Sequence, residues 1–284
     1  MLFLDPHAHD EHDHDDHGGL HRDLRATGTR MDRRSVLRLA AKFGVGVGAL
    51  QLLGCAAGDA LTGTETGGTS TGGATCSTRI PEDTAGPYPG DGSNGPSVLS
   101  LTGVVRQDIR ASFAGLTGTA AGVPLAVDLT IVSASTCAPL EGYAVYLWHC
   151  DALGRYSLYS SGVTNQNYLR GVQAADVSGR LSFTTIYPGC YAGRWPHIHF
   201  EVYRSVSAAT NVANKIATSQ IALPKATNDL VYAQSGYTGS ATNASRVTLA
   251  SDGIFSDGYN LELATITGDL TSGLRAALTV AVPV

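Results

Sequence analysis

From residue 98 onward the chain is broken into short β-prone runs, and this punctuation constrains its fold more than any other feature. Residues 98–105, 125–132, 143–149, 181–186, 197–203, 219–223, 246–250, 261–266 and 275–282 are rich in Val, Ile, Leu, Thr or Tyr. Gly, Pro, Asn, Asp and Ser fill the gaps between them. Runs of this length and composition predict strands. No stretch of about 12 residues here combines a 3.6-residue apolar period with caps, the signature of a globular helix. Residues 205–217 are the best place for a short one. The pattern predicts an all-β fold, a β-sandwich of about eight to nine mostly antiparallel strands with long loops. The 34 Gly and 11 Pro among 284 residues suit such a turn-rich chain and disfavour a helical bundle.

The chain is 43% hydrophobic, which excludes wholesale disorder. A net charge of −5 gives no electrostatic case for a nucleic-acid partner. Six of the nine His lie between His7 and His21, which leaves His149, His197 and His199 for the body. The His-rich tract could bind metal, but it precedes Met31, which has the look of a natural start, and would be removed with any signal.

Residues 1–55 are expected to be an N-terminal extension followed by an export signal. Arg33-Arg34 precedes an apolar, Gly-containing stretch, as in twin-arginine export. The stretch ends in Leu52-Leu53-Gly54-Cys55, which resembles a bacterial lipobox whose Cys carries lipid. The uncharged run from Phe43 to Cys55 is 13 residues, short of the roughly 20 that span a bilayer. Residues 56–78 are Thr/Gly-rich and form a tether, reaching roughly 25–30 Å as a flexible coil. Residues 79–284 form the folded domain. The expected location is the cell envelope: a membrane-anchored lipoprotein, or a periplasmic or extracellular protein.

Cys76, Cys137, Cys150 and Cys190 remain after Cys55, an even number that suits an oxidising compartment. Three connectivities are open to these four; Cys150 and Cys190 each lie close to a tyrosine of interest, which favours that pair without deciding it. None of the spacings is of the C-x2-C kind, so a zinc site from these four is disfavoured.

His197 and His199 are two apart in a β pattern, so both imidazoles face one way while Ile198 and Phe200 face the other. Such a pair can be a bidentate metal site or simply two polar residues on a solvent face. Tyr156 and Tyr191 lie in Gly-rich turns. A trivalent cation can deprotonate a phenol that otherwise ionises near 10. Phenolate is a hard anionic donor that favours Fe(III), so two His with two Tyr describe a ferric site, without the carboxylate of the ferrous two-His triad.

The runs Trp148-His149-Cys150-Asp151-Ala152-Leu153-Gly154-Arg155-Tyr156, Thr185-Ile186-Tyr187-Pro188-Gly189-Cys190-Tyr191 and Arg194-Trp195-Pro196-His197-Ile198-His199 resemble the intradiol ring-cleavage dioxygenases, most closely the protocatechuate dioxygenase branch. Thr84-Ala85-Gly86-Pro87-Tyr88 is similar to an N-terminal element of that family. The likeness runs from about residue 80 to 205. It implies a non-haem Fe(III) cofactor bound by Tyr156, Tyr191, His197 and His199, with Arg194 beside the substrate to stabilise charge on the ring. It also implies a catecholic substrate and O2, with cleavage between the two hydroxyls to a cis,cis-muconate-type product. By the same analogy Tyr191 leaves the metal as substrate binds and accepts a substrate proton. Gly189 and Gly193 beside it suggest a turn flexible enough for that. His149 is read as a hydrogen-bonded strand-end residue, and Tyr187, Tyr159 and Tyr143 as core or rim aromatics.

The sequence departs from the catabolic members in its signal and tether, and the protocatechuate branch pairs two unlike chains where this is one. It does not set the oligomeric state or the particular catechol; a carboxylated ring would call for a further cation, with Arg155, Arg170 and Arg180 as candidates. The competing expectations are a non-catalytic surface β-sandwich that binds carbohydrate or protein, and a zinc hydrolase using His197, His199 and Glu201.

Overall fold

A computed structural model describes residues 78–284. The export signal, the lipobox and nearly all of the tether fall outside these residues. Among the described residues eight strands form two four-stranded sheets, as an all-β sandwich requires. They are β1 (Pro124–Ser133), β2 (Ala144–Trp148), β3 (Arg170–Ala174), β4 (Arg180–Ile186), β5 (His197–Tyr203), β6 (Lys215–Ala222), β7 (Thr265–Asp269) and β8 (Gly273–Val282). One sheet has the order β4-β1-β8-β7, the other β3-β2-β5-β6. All pairings are antiparallel except β1 with β8, which are parallel.

Alternation builds the core. Leu125, Val127, Leu129 and Ile131 of β1 point inward, and Asp128 and Thr130 point away. They meet Val145, Leu147, Ile198, Phe200 and Val202 from the second sheet. The second sheet is buried on its other face too, which is why every residue of β2 and β5 is buried. Val98, Leu99, Val104 and Phe113 of the preceding segment cover Ala144, Tyr146, Trp148 and Tyr203 there. The odd-numbered residues of β5, His197 and His199 among them, therefore lie on a face that is itself buried.

The differences from the sequence expectations have local causes. Residues 98–105 form that cover, held by an isolated bridge from Val105 to Val172 rather than a ladder. Gly95 and Gly103, at φ +88° and +94°, turn the backbone at each side. Residues 246–250 are a turn, closed by Thr248 and Ser251, each hydrogen-bonding to the other. Strand β3 is not among the β-prone runs because Arg170-Gly171-Val172-Gln173 carries little β signal; Gly171 is needed where Ile109 would crowd a Cβ at 2.5 Å. The helix expected at 205–217 is two short 3-10 turns, and the helices proper are α1 (Lys225–Tyr232) and α2 (Ser240–Ala244). Among the described residues no helix is long and apolar enough to cross a membrane.

Cys150 and Cys190 are buried free thiols, so the favoured disulfide between them is not formed. Their sulfurs instead donate to backbone carbonyls, Cys150 to Gly189 at 3.4 Å and Cys190 to Arg194 at 3.5 Å. Burial pushes both thiols up, Cys190 to about 12, away from the reactive thiolate. Cys137 is disulfide-bonded.

Candidate metal centre

The four expected ligands converge. His197 Nε2 lies 3.0 Å from His199 Nε2, 3.3 Å from Tyr191 Oη and 3.5 Å from Tyr156 Oη. Both histidines are 2% exposed, and Tyr156 is likewise buried. Burial pushes both imidazoles well below their ordinary range, with Arg194 acting in the same direction, so both rings are neutral. His197 Nδ1–H donates to the Trp195 carbonyl at 2.5 Å, which leaves Nε2 as a bare lone pair. The His199 ring stacks on Trp148 at 5.0 Å with only 3° between planes, so its direction is set by packing.

The residues fit a ferric ion. Donors that share one small cation through bonds of about 2.0–2.1 Å stand roughly 3–3.5 Å apart, close to the spacings seen. Two imidazole nitrogens and two phenol oxygens form the hard, anionic set that such an ion prefers. Among the described residues no three His, Cys, Asp or Glu side chains gather around a common point. Glu201, the carboxylate that a zinc enzyme would need, accepts from Tyr203 Oη at 2.6 Å and Lys215 Nζ at 3.1 Å instead.

The two tyrosine turns are locked together. Gly154 takes φ +80°, and a Cβ on it would meet Tyr191 Cβ at 3.1 Å. Gly189 N donates to Asp151 O at 3.0 Å, and a Cβ on Gly189 would lie 2.5 Å from Ala152 O. Cys190 N donates to Ser240 Oγ and Cys190 O accepts from Asn243 Nδ2, both from α2. The Pro-Gly-Cys approach to Tyr191 is therefore pinned, contrary to the flexibility expected of Gly189. Only Ala192 and Gly193, exposed on its far side, keep that freedom. Tyr156 packs 5.0 Å from Tyr88, and its backbone N–H donates to Ser160 Oγ at 2.9 Å.

Arg194 is 1% exposed. Its Nε donates to Asp252 Oδ2 at 2.9 Å and its Nη2 to Gln220 Oε1 at 2.6 Å. Asp252, Gln220 and Phe255 had no signal in the sequence, because they come from distant segments that only the fold brings to Arg194. His149 is the expected structural histidine, contacting Cys150 O at 2.8 Å and Thr185 Oγ1 at 2.7 Å. Tyr187 is core, donating to Asn228 Oδ1, and Tyr159 is rim, bonded to Gly90 and Asn94. Of the three arginines considered for a substrate carboxylate, Arg155 pairs with Asp151. Arg170 is buried among backbone carbonyls, and Arg180 is exposed at the start of β4 on the opposite sheet.

Residues 94–217 match the model of a dioxygenase family. The structure is similar to that of an intradiol ring-cleavage dioxygenase from Tetranychus urticae, at 25% identity and a TM-score of 0.55, over 72% of this chain and 95% of that one. A second solved dioxygenase gives 26% identity and a TM-score of 0.57, over 73% and 95%. A comparison with curated proteins finds no match. The sandwich is thus the fold seen in intradiol ring-cleavage dioxygenases, and the family match covers all four candidate ligands.

Proposed function

We propose that this chain is a non-haem Fe(III)-dependent intradiol dioxygenase, exported to the cell envelope, that cleaves a catecholic ring with O2. The observation that carries the proposal is the convergence of Tyr156, Tyr191, His197 and His199 at 3.0–3.5 Å around His197 Nε2. When bound, the ferric ion supplies Lewis acidity toward two adjacent ring oxygens. The net reaction adds both atoms of O2, breaks the carbon–carbon bond between the two hydroxyls and leaves two carboxyl groups.

The chain's own residues divide the remaining work. His197 and His199 are held by the Trp195 carbonyl and the Trp148 ring, so their direction does not change during turnover. Tyr156 is buried and stays in place. Tyr191, partly exposed, accepts a proton at Oη from a substrate hydroxyl. Arg194 presents a fixed positive charge against anionic character on the ring. The protocatechuate-like motifs describe the branch, whereas the engagement of Arg155 and Arg170 elsewhere favours a catechol without a ring carboxylate. Oxygen uptake across a panel of catechols, with ultraviolet detection of a muconate-type product, tests the proposal. Consumption of O2 without ring opening, or no consumption with any catechol, would overturn it.

A further inference from the structure

We infer that Asp252 is the positioning residue that aims Arg194 at the ring, an inference that rests on the ring-cleavage reading of the site. Asp252 lies beyond the family-matched segment, 58 residues after Arg194 in sequence. Its side chain and that of Arg194 are both fully buried. One oxygen, Oδ2, accepts from Arg194 Nε at 2.9 Å and from the Trp195 backbone N–H at 2.7 Å. It therefore fixes the guanidinium and the backbone that leads into His197 together. The other oxygen, Oδ1, accepts from the backbone N–H groups of Ile254 at 2.8 Å and Phe255 at 3.1 Å. Those two bonds set the turn that carries Phe255. The Phe255 ring centre lies 5.9 Å from the Arg194 guanidinium carbon and 6.4 Å from that of the His197 ring.

A second acceptor completes the clamp. Arg194 Nη2 donates to Gln220 Oε1 at 2.6 Å, while Gln220 Nε2 donates to the Thr84 carbonyl at 3.0 Å. The second bond decides which end of the amide faces Arg194. Gln220 is also the cross-strand partner of His199, so the clamp is referenced to the ligand strand. Two acceptors on Nε and Nη2 fix the plane and rotation of the guanidinium. A buried ion pair seldom stabilises a fold more than apolar packing of the same volume. Its use here is to hold a charge in one place, and a displacement of about 1 Å at such a group can cost about 10²-fold in rate.

The test uses iron-loaded Asp252→Asn, Arg194→Gln and the double variant, with kcat, KM, iron content and visible spectrum as readouts. Asp252→Asn should keep its iron and visible band, lose about 10²-fold in kcat and change KM far less. The double variant should lose far less than the product of the two single losses, because the main effect of Asp252 on rate runs through Arg194. A kcat within twofold of wild type in iron-loaded Asp252→Asn, or an additive loss in the double variant, would overturn the inference. Gln220→Met guards against a folding defect at Asp252: it leaves the ion pair intact and should lower kcat with the visible band unchanged, and unaltered kcat counts against the clamp. Should wild-type protein open no catechol, the ring-cleavage reading falls separately. The clamp is then read from melting temperatures: the two single losses should not add in the double variant, and simple addition would refute it.

Discussion

Replacing Arg170 with Met should destabilise the domain by about 3 kcal/mol while leaving every candidate ligand in the sequence. Arg170 is 1% exposed, yet the partners it bonds are neutral oxygens. Its Nη2 donates to Tyr88 O and Ser157 O, both at 2.9 Å; Nη1 donates to Pro89 O at 2.6 Å and Tyr146 Oη at 3.3 Å; Nε donates to Ser157 Oγ at 3.0 Å. The residue thus ties the Tyr88-Pro89 segment to the turn just after Tyr156. Met would fill much of the stem volume but donate nothing. Pro89 O keeps the Tyr146 hydroxyl, whereas Tyr88 O and Ser157 O lose this donor. Two orphaned buried carbonyls cost about 1–3 kcal/mol each, partly offset because the guanidinium no longer has to be desolvated. For a domain of this size each kcal/mol shifts Tm by about 2–4 °C, so a fall of roughly 6–12 °C is expected. Thermal unfolding followed by circular dichroism measures it. A shift below about 2 °C would show that these carbonyls find other partners and that Arg170 does not tie the two segments.

Gly189→Ala should also be destabilising, because its Cβ would stand 2.5 Å from Ala152 O and force the two tyrosine turns apart; a melting scan and the visible spectrum together would register the change. His149 predicts an acid limb in stability. Burial lowers its pKa from 6.5 to about 4, so below pH 6.5 the unfolded chain takes up a proton that the folded chain refuses until about pH 4. Its contribution is therefore present above pH 6.5 and lost as pH falls toward 4, about 3 kcal/mol in all. His149→Gln should flatten that limb in denaturant titrations between pH 7 and 4, and an unchanged slope would contradict the assignment. For export, Cys55→Ala should release the mature domain from the membrane fraction, and replacing Arg33 and Arg34 with Lys should retain the precursor in the cytoplasm. Unchanged fractionation would count against the lipobox, and normal export against the twin-arginine signal.

The strands that read clearly in the sequence are those whose side chains meet two different environments. Alternation in β1 and the His-Ile-His-Phe run of β5 reported their faces correctly, and β5 carried the site. The second sheet was harder to read because its outer face is roofed, so β2 and β5 are buried throughout and the roof itself resembles a strand. That Tyr156, Tyr191, His197 and His199 come together was legible because they stand in short local motifs that resemble one family. The clamp on Arg194 was not, since Asp252 and Gln220 reach it only through the pairing of β6 with β5 and the turn at 252–255. The disulfide expectation failed for a similar reason: proximity of Cys150 and Cys190 to the tyrosines said nothing about where their sulfurs point, and both point at carbonyls.

The proposed ferric centre is tested most directly by the colour and iron content of the purified protein. Wild-type protein should carry about one iron per chain and absorb in the visible through tyrosinate-to-Fe(III) charge transfer. Tyr191→Phe should keep iron through Tyr156, His197 and His199 with a shifted band, while His197→Ala should lose most of both the metal and the colour. Full iron and unchanged colour in His197→Ala, or an active wild-type protein that is colourless and free of iron, would contradict the assignment of this centre.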